Sequence, residues 1–301
     1  MTPSSAKVAV IGLGIMGGPM AANLIKAGYD VVGYNRSPDP IRRLQDAGGH
    51  AAGSVAEAVR EADVVITMLP DSPDVEAVAL GEDGIYANAR EGTLHIDAST
   101  IRPDIARRLA EAGRDRGIRV VDAPVSGGEP GAVEGTLSIM VGGDAADVED
   151  ARPILDAVGR TIVHVGPHGA GQTVKAANQL IVAGNIELVA EAIVFLEAHG
   201  VDTDAALQVL AGGLAGSTVL DRKGHAMLAR DFTPGFRVEL HDKDLGILTA
   251  AAREAGVVIP LGALVAQLMA SLKAQGDGGL DHSALLTLVE RLSGRSSGPP
   301  S

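Results

Sequence analysis

A single lysine, Lys175, lies at the start of a long apolar segment. Lys175 lies in GAGQTVKAANQ (residues 169–179), which opens a proline-free apolar run extending to about residue 200. No other Lys or Arg follows before His199, and Asn178 comes one helical turn later on the same face. A lysine in such a helix either extends its ammonium to water, the more frequent outcome, or is held for acid–base chemistry. The other motifs of the chain favour the second alternative.

A glycine-rich turn near the N-terminus is typical of a dinucleotide site. The segment VAVIGLGIMGG (residues 8–18) has the pattern G-x-G-x-x-G between a predicted strand and a predicted helix. The first glycine makes the tight turn, the second admits a pyrophosphate, and the third lets the helix pack closely on the strand. The helix N-terminus supplies N–H groups and a positive dipole to the phosphates. The predicted cofactor-binding residues of this loop are Gly12, Leu13, Gly14, Ile15, Met16 and Gly17.

The end of the second predicted strand discriminates between the nicotinamide dinucleotides. Sites for NAD(H) usually carry Asp or Glu here, bound to the 2′-hydroxyl of the adenosine ribose. This chain carries Asn35, Arg36 and Ser37 instead. Arginine can bind a 2′-phosphate bidentately, and no carboxylate is present to repel it. We therefore predict that NADP(H) is preferred and that NAD(H) remains possible; the alternative is that Arg36 is a solvated surface residue.

Three later segments also follow predicted strands. Leu69 and Pro70 end one apolar run, and Ser99 and Thr100 end another, at the edge where open α/β sheets bind ligands. Ordinary loop or helix-capping chemistry is the alternative for these residues. The segment DAPVSGG (residues 122–128) combines a hydroxyl with exposed backbone N–H groups, which suits a carboxylate, although Ser-Gly-Gly is also an ordinary flexible loop.

Composition excludes several classes of protein. The 301 residues carry a net charge of −13, which argues against a general nucleic-acid or anionic-membrane surface. The absence of cysteine excludes disulfides and thiolate chemistry, and the eight histidines form no zinc-binding pair, so no metal site is predicted. We find no stretch that is both long and unbroken enough to span a membrane, and no signal-peptide layout, so a cytoplasmic location is expected.

Strand-like and helix-like segments alternate in the first half of the chain. The predicted strands are Lys7–Ile11, Asp30–Tyr34, Asp63–Leu69, Thr93–Asp97, Arg119–Asp122, Ser138–Val141 and Thr161–Val165, and the predicted helices between them are Pro19–Ala27, Asp39–Ala47, Ser54–Ala62, Pro73–Leu80, Pro103–Arg116 and Ala146–Val158. This alternation predicts a mostly parallel sheet with helices on both faces. After Val165 the strand pattern fades, and the remaining segments predict helices only. We therefore predict an α/β domain over residues 1–166, an all-α domain over 167–292 and a disordered tail over 293–301.

Four motifs in order resemble the β-hydroxyacid dehydrogenase family. They are GLGIMGGPMAAN at 12–23, DAPVSGG at 122–128, GAGQTVKAANQ at 169–179 and LHDKDL at 240–245, and the resemblance extends from Lys7 to Leu292. It implies a Rossmann-type domain, a long interdomain helix carrying a catalytic lysine, and a helical domain that pairs in homodimers or homotetramers. By motif, it implies that Lys175 is catalytic, that Ser126, Gly127, Gly128 and Asn178 contact substrate, and that Thr100 and Lys243 contact the cofactor. Phe236 and Asp244 are further candidates for the lining of the site.

Within the family, residues 128–144, 212–221 and 281–285 resemble the members that reduce tartronate semialdehyde (2-hydroxy-3-oxopropionate) to D-glycerate. The substrate expected is therefore a small carboxylated aldehyde or hydroxyacid. Alternatives within the family are 3-hydroxyisobutyrate, glyoxylate or succinic semialdehyde as substrate. An alternative of another class is a non-catalytic regulatory protein that binds NADPH, which the presence of Lys175, Asn178 and Ser126 disfavours. Imine reduction is disfavoured because enzymes of that kind generally lack this lysine.

Overall fold

The computed structural model of the chain describes residues 6–295. These residues form two compact units, and the division falls between Lys175 and Ala176, near the start of a long helix. The boundary predicted at residue 166 lies just before that helix. Within the predicted tail, residues 293–295 form a hydrogen-bonded turn, and residues 296–301 lie outside the described part.

The first unit is built on one mixed sheet of nine strands. The strands are β1 (Lys7–Ile11), β2 (Asp30–Tyr34), β3 (His50–Ala51), β4 (Val64–Thr67), β5 (Leu94–Asp97), β6 (Arg119–Asp122), β7 (Val125–Ser126), β8 (Leu137–Gly142) and β9 (Gly159–Gly166). Their order is β3-β2-β1-β4-β5-β6-β8-β7, with β9 paired to β8. The pairs from β3 through β6 are parallel, so the loops that follow these strands share one edge. This is the order of a Rossmann-type sheet, as predicted.

Alternating side chains of the sheet enter two separate cores. Val8 and Val10 of β1 pack in one core, whereas Ala9 and Ile11 pack in the other. Because neighbouring residues of a strand point to opposite faces, a strand that is apolar throughout requires helices on both sides. The helices of this unit are α1 (Gly17–Lys26), α2 (Pro38–Asp46), α3 (Val55–Val59), α4 (Ser72–Leu80), α5 (Ile85–Asn88), α6 (Pro103–Arg114), α7 (Gly128–Glu134) and α8 (Ala145–Asp156).

Four short elements were not predicted. They are the two-residue strands β3 and β7 and the short helices α5 and α7. A strand of two residues is defined by the neighbour it pairs with, here β2 and β8 respectively, and leaves no alternation in the sequence. Helix α7 begins in the Ser-Gly-Gly segment, whose glycines favour a loop by propensity.

The second unit contains helices around a single core, as predicted. Its helices are α9 (Ala170–Ala198, which begins in the first unit), α10 (Thr203–Ala211), α11 (Thr218–Leu228), α12 (Val238–Glu254), α13 (Pro260–Ala274) and α14 (Leu285–Leu292), with 3₁₀ turns at Asp277–Gly279 and His282–Ala284. Helix α9 contributes Ala183, Ile186, Ala190 and Ile193 to the core. Their spacing of three and four residues places them on one face of the helix.

Helix α9 corrects one expectation. Among the described residues it is long and apolar enough to cross a membrane by length and composition, so the expectation that no such stretch exists was wrong. Of its most apolar 18 residues, 44% are buried inside the protein. A core helix of a globular protein has the same composition, because other parts of the protein cover much of its surface.

Candidate active site

The turn after β1 has the close packing that glycine permits. Gly12 has φ +97°, and a Cβ there would lie 2.3 Å from the carbonyl oxygen of Met68. A Cβ on Gly17 would lie 1.9 Å from the carbonyl oxygen of Gly12, so the first turn of α1 rests directly on this loop. Any larger residue at either position would displace the backbone.

The same turn leaves space for an anion. A Cβ on Gly14 would meet no atom within 4 Å, and Gly14 and Ile15 are exposed. Helix α1 begins without a capping side chain and has no acidic residue in its first turn. The first turn of α1 therefore carries no carboxylate of its own that would oppose an anion, and the loop fits the pyrophosphate of a dinucleotide.

The residues after β2 divide into one that supports the glycine loop and two that face solvent. Asn35 Oδ1 accepts a hydrogen bond from the backbone N–H of Leu13 at 3.0 Å, and Leu13 itself is buried in the core. Arg36 and Ser37 are exposed, and Ser37 is the residue before α2. The geometry therefore assigns Asn35 a supporting contact and leaves Arg36 accessible to a ligand phosphate.

A buried chain of hydrogen bonds lies beneath the loops after β4 and β5. Thr67 Oγ1 donates to Asp97 Oδ1 at 2.7 Å, and the same oxygen lies 2.9 Å from Nε2 of His95. Since the threonine proton goes to Asp97, Nε2 of His95 donates, and Nδ1 accepts from the hydroxyl of Tyr86 at 3.0 Å. Burial lowers the pKa of His95 to about 3, which agrees with the neutral ring that this pattern requires.

The chain ends at the loop predicted to contact the cofactor. The backbone N–H of Ser99 donates to Asp97 Oδ1 at 3.2 Å, and Ser99 Oγ accepts from the N–H of Leu69 at 2.9 Å. Burial raises the pKa of Asp97 to about 6, although hydrogen bonds from Ser99 and Thr67 lower it. Buried hydrogen bonds thus fix Leu69 and Ser99, the immediate neighbours of the predicted cofactor contacts Pro70 and Thr100.

The Ser126–Gly128 segment lies between a strand and a helix. Ser126 ends β7 and pairs with Ser138 of β8, and Gly128 begins α7. Ser126, Gly127 and Gly128 are all partly exposed, whereas Val125 before them is buried. The segment therefore presents a hydroxyl and backbone groups on a rigid base.

Asp122, the first residue of the same motif, has a structural role. Its Oδ1 accepts from the N–H of Gly169 at 2.7 Å, and its Oδ2 accepts from the N–H of Gln172 at 3.0 Å. Burial raises the pKa of Asp122, and these two backbone N–H groups lower it. A carboxylate at the end of β6 thus caps the N-terminus of α9, which places the start of that helix at the ligand-binding edge.

Lys175 follows on the first turns of α9. It is only 7% exposed, so most of its side chain lies inside the protein. A buried ammonium is costly unless polar groups surround it, which is the condition found at catalytic lysines.

In the second unit, Asn178 and Lys243 belong to one polar cluster. Asn178 Nδ2 donates to Gln179 Oε1 at 2.7 Å, and Gln179 Nε2 donates to Asp244 Oδ2 at 2.6 Å. Lys243 Nζ lies 2.7 Å from Asp244 Oδ1. Since a carboxylate only accepts, Asp244 sets the orientation of the Gln179 amide, and Gln179 in turn sets that of Asn178.

A second cluster joins the LHDKDL motif to the segment at 281–285. Nδ1 of His241 and Nδ1 of His282 lie 2.9 Å apart, and Phe236 packs edge-on against both rings. Asp281 accepts two hydrogen bonds from Lys223 Nζ, at 2.9 and 2.8 Å. It also accepts hydrogen bonds from the backbone N–H groups of Gly235 and Phe236 and from the hydroxyl of Ser283. Phe236 therefore packs on a buried histidine pair.

The structure places the sequence-predicted residues in two groups. One group follows strands of the first unit: the glycine loop, Arg36, the loops after β4 and β5, and the Ser126–Gly128 segment. Lys175 belongs to this group, because α9 starts at the same edge of the sheet. Asn178 and Lys243 form the cluster in the second unit. Sequence reasoning missed Thr67, His95, Asp97, Gln172 and Gln179 as supporting residues. The available signal was that they are polar residues within apolar strands or beside a motif residue.

This combination defines a class. The protein is an NAD(P)-dependent oxidoreductase that acts on CH–OH groups. Its parallel sheet carries a phosphate-binding glycine turn, and a buried lysine lies on a helix that starts at the same edge of the sheet. Residues 7–166 match the family model described as the NAD-binding domain of 6-phosphogluconate dehydrogenase, and residues 169–289 match the NAD-binding domain of NADP-dependent 3-hydroxyisobutyrate dehydrogenase. The chain belongs to the β-hydroxyacid dehydrogenase family.

Individual relatives agree on the family and differ in substrate. The chain is 42% identical to 2-hydroxy-3-oxopropionate reductase of Escherichia coli, over 94% of this chain and 97% of the relative. It is 40% identical to NAD-dependent L-serine dehydrogenase of Pseudomonas aeruginosa, over 96% and 99%. The structure of Mycobacterium tuberculosis 3-hydroxyisobutyrate dehydrogenase with L-serine superposes with a TM-score of 0.86 at 36% identity, over 94% of this chain and 99% of that one. Similarity at this level identifies the chemistry and leaves the substrate to be determined.

Proposed function

We propose that the protein reduces 2-hydroxy-3-oxopropionate (tartronate semialdehyde) to D-glycerate with NADPH, in a reversible reaction. The observation that carries the chemistry is the buried Lys175, on a helix whose start is fixed at the ligand-binding edge by Asp122. The choice of substrate is supported by the segments at 128–144, 212–221 and 281–285.

A nicotinamide dinucleotide, which the glycine loop and the loops after β4 and β5 would hold, would supply the hydride chemistry of this mechanism. Lys175, as an ammonium, donates a hydrogen bond from Nζ to the aldehyde oxygen and then transfers a proton to it as the hydroxyl forms. In the direction of oxidation, neutral Lys175 removes the hydroxyl proton. A single residue thus serves as acid in one direction and as base in the other.

The remaining site residues hold the substrate. Ser126, Gly127 and Gly128 bind its carboxylate through the serine hydroxyl and backbone N–H groups, which orients the reacting carbon. Asn178, one turn after Lys175 on α9, orients the lysine or binds the same carboxylate. Gly12, Leu13, Gly14, Ile15, Met16 and Gly17, together with Leu69, Pro70, Thr100 and Lys243, contact the cofactor.

For the cofactor, we propose a preference for NADP(H) over NAD(H). Support comes from the exposed Arg36 and Ser37 at the end of β2 and from the absence of a carboxylate at residues 35–37. Equal kcat/KM for NADPH and NADH would contradict this proposal.

The substrates of the relatives point to a sharp test. D-glycerate, L-serine and 3-hydroxyisobutyrate are all 3-hydroxypropanoates, and they differ in the group on C2, which is a hydroxyl, an amine or a methyl. We expect kcat/KM for D-glycerate to exceed that for the other two by at least about tenfold, because a hydrogen-bonding pocket discriminates well against analogues that lack the group. The reverse reaction is tested with tartronate, methylmalonate and succinic semialdehydes and glyoxylate. A higher kcat/KM for L-serine or 3-hydroxyisobutyrate would refute the proposed substrate and leave the chemistry intact.

We also propose that the chain forms homodimers or homotetramers through its helical unit and works in the cytoplasm. Ile181, Leu188 and Phe195 on α9 are 63%, 60% and 63% exposed, and their spacing of seven residues places them on one stripe of the helix. Light scattering at micromolar concentration should show an oligomer that Leu188→Glu dissociates, while Glu191→Gln leaves it intact. A catalytically competent wild-type monomer would refute this proposal.

A further inference from the structure

A buried glutamine joins the helix of Lys175 to a loop on the cofactor side. Gln172 is 1% exposed and precedes Lys175 by three residues on α9, so the two lie about one helical turn apart. Its side chain points toward the loop after β5.

The amide of Gln172 makes two hydrogen bonds to that loop. Oε1 accepts from the N–H of Ile101 at 3.0 Å, and Nε2 donates to the carbonyl oxygen of Ser99 at 2.8 Å. These two backbone groups flank Thr100. Ser99 Oγ also accepts from the N–H of Leu69 at 2.9 Å, which connects the loop after β4 to the same unit of structure.

The backbone around Gln172 is fixed equally firmly. Its N–H donates to Asp122 Oδ2 at 3.0 Å, and a Cβ on the preceding Gly171 would lie 2.4 Å from the carbonyl oxygen of Met140. The helix start therefore packs directly against β8, with no space for a side chain between them.

We propose that Gln172 is a positioning residue that fixes Lys175 relative to the loop after β5, which carries the proposed cofactor contact Thr100. This inference rests on the proposed function, because it assigns Gln172 a role through Lys175. One side chain thereby sets the distance between the proposed proton donor and this cofactor-contacting loop.

The direction of the two hydrogen bonds explains why an amide is required. One partner is a donor and the other an acceptor, so the side chain must offer one of each at fixed positions. Ionised glutamate would place a second acceptor against the carbonyl of Ser99. Protonated glutamate has the shape and the hydrogen-bonding pattern of glutamine and would restore both contacts.

The test uses the full-length enzyme with Gln172→Met, Gln172→Glu and, as a matched control on an exposed helical glutamine, Gln208→Met. Stopped-flow absorbance gives the single-turnover rate of NADPH oxidation, and fluorescence titration gives the Kd for NADPH. We expect Gln172→Met to lower the single-turnover rate and kcat by about ten- to a hundredfold, as for a small displacement of a catalytic group. The Kd for NADPH and the KM for the aldehyde should change by less than about threefold, because the loss is confined to the reacting geometry.

The pH profile separates positioning from general damage. Burial, together with Asp122 and Asp97 nearby, raises the pKa of a glutamate at this position. The rate of Gln172→Glu, divided by that of the wild type at each pH, should therefore rise as the pH falls, whereas the same ratio for Gln172→Met should stay constant. A ratio for Gln172→Glu that is flat with pH would overturn the proposal, even if Gln172→Met does not fold. Gln172→Met within twofold of the wild-type rate would also overturn it.

Lys175→Ala distinguishes this inference from the proposed function. If that variant is inactive and Gln172→Met is fully active, only the positioning role fails. If Lys175→Ala itself retains turnover, the proposed mechanism fails.

Discussion

Buried aspartates have opposite electrostatics in the two units. In the first unit, Asp97 and Asp122 accept hydrogen bonds from backbone N–H groups and a threonine hydroxyl, and burial raises the pKa of both. In the second unit, Asp281 is only 1% exposed, and burial raises its pKa. His282, Lys223 and Ser283 lower this pKa by more than burial raises it, so the net shift is downward. The difference follows from the partners, because the charges of His282 and Lys223 stabilise the ionised carboxylate more than neutral dipoles do.

The comparison extends to the cations. The second unit pairs Arg230 with Glu197 at 3.0 Å and with Glu290 at 2.5 Å. The first unit buries Lys175 on the helix that starts at its ligand-binding edge. We infer that the second unit uses buried charge mainly for stability, whereas the first uses it mainly for function.

The largest expected effect is that of Lys175→Ala. We expect kcat to fall by at least about 10²–10⁴-fold, the usual contribution of a general acid–base group, with NADPH binding nearly unchanged. Steady-state kinetics and fluorescence titration measure the two quantities. The exposed Lys26→Ala serves as control and should behave as wild type. Retention of more than a tenth of the wild-type kcat would remove Lys175 from the mechanism.

Asp281→Asn should show the reverse pattern, with lost stability. We expect the free energy of unfolding at neutral pH to decrease by about 2–4 kcal/mol, since Lys223 loses its charged partner in a buried site. Asp281 has a folded pKa below the ordinary 3.8, so its stabilising effect is present above that value and is lost as the pH falls through the folded pKa. Calorimetry from pH 7 to acid should therefore show the difference between the variant and wild type shrink only below about pH 4.

The control for this measurement is Asp221→Asn, at an exposed position of α11 in the same unit. It should leave the free energy of unfolding within about 0.5 kcal/mol of wild type. An equal loss in both variants would mean that the Asp281 cluster is not what stabilises the second unit.

Arg36→Ala tests the exposed charge of the first unit. Binding of NADPH should weaken by about 1.5–3 kcal/mol, the value of a charged hydrogen bond, and binding of NADH should barely change. Titration of each cofactor against Arg36→Ala and the exposed control Arg60→Ala provides the measurement. A similar loss for both cofactors would show that Arg36 acts on a part of the molecule that NADPH and NADH share.

The smallest expected effect is that of Asp97→Asn. The hydrogen bonds from Thr67 and Ser99 both go to Oδ1, so an asparagine can keep its oxygen there and remove only the charge. Because the folded pKa is raised from 3.8 to about 6, the stabilising contribution of protonated Asp97 is present below pH 3.8 and is lost as the pH rises through about 6.

Asp97→Asn should consequently have a higher free energy of unfolding than wild type at pH 8 and nearly the same free energy of unfolding near pH 4. Calorimetry at the two pH values is sufficient. If Asp97→Asn were less stable than wild type at both pH values, ionised Asp97 would stabilise the folded protein. Asp97 and Asp281 would then not differ in the way proposed.

Much of the fold was predictable from local patterns. Strands β1, β2 and β6 have the predicted bounds, because apolar runs bounded by glycine or polar residues define buried parallel strands. Helices such as α6 were predicted to within two residues, since Pro103 marks its first turn. The short elements β3, β7, α5 and α7 were missed because pairing and packing define them.

The amino-acid sequence by itself determined the order of strands and helices, the glycine turn after β1 and the family, since each depends on residue types at short spacing. Only the tertiary structure decided which polar residues serve the site and which support it. Asp122 caps α9 from a position 47 residues away, Gln172 reaches Ser99 across 73 residues, and His241 meets His282 across 41. The physical reason is that a buried polar group must find a partner wherever folding brings one, and that choice leaves no local pattern in the chain.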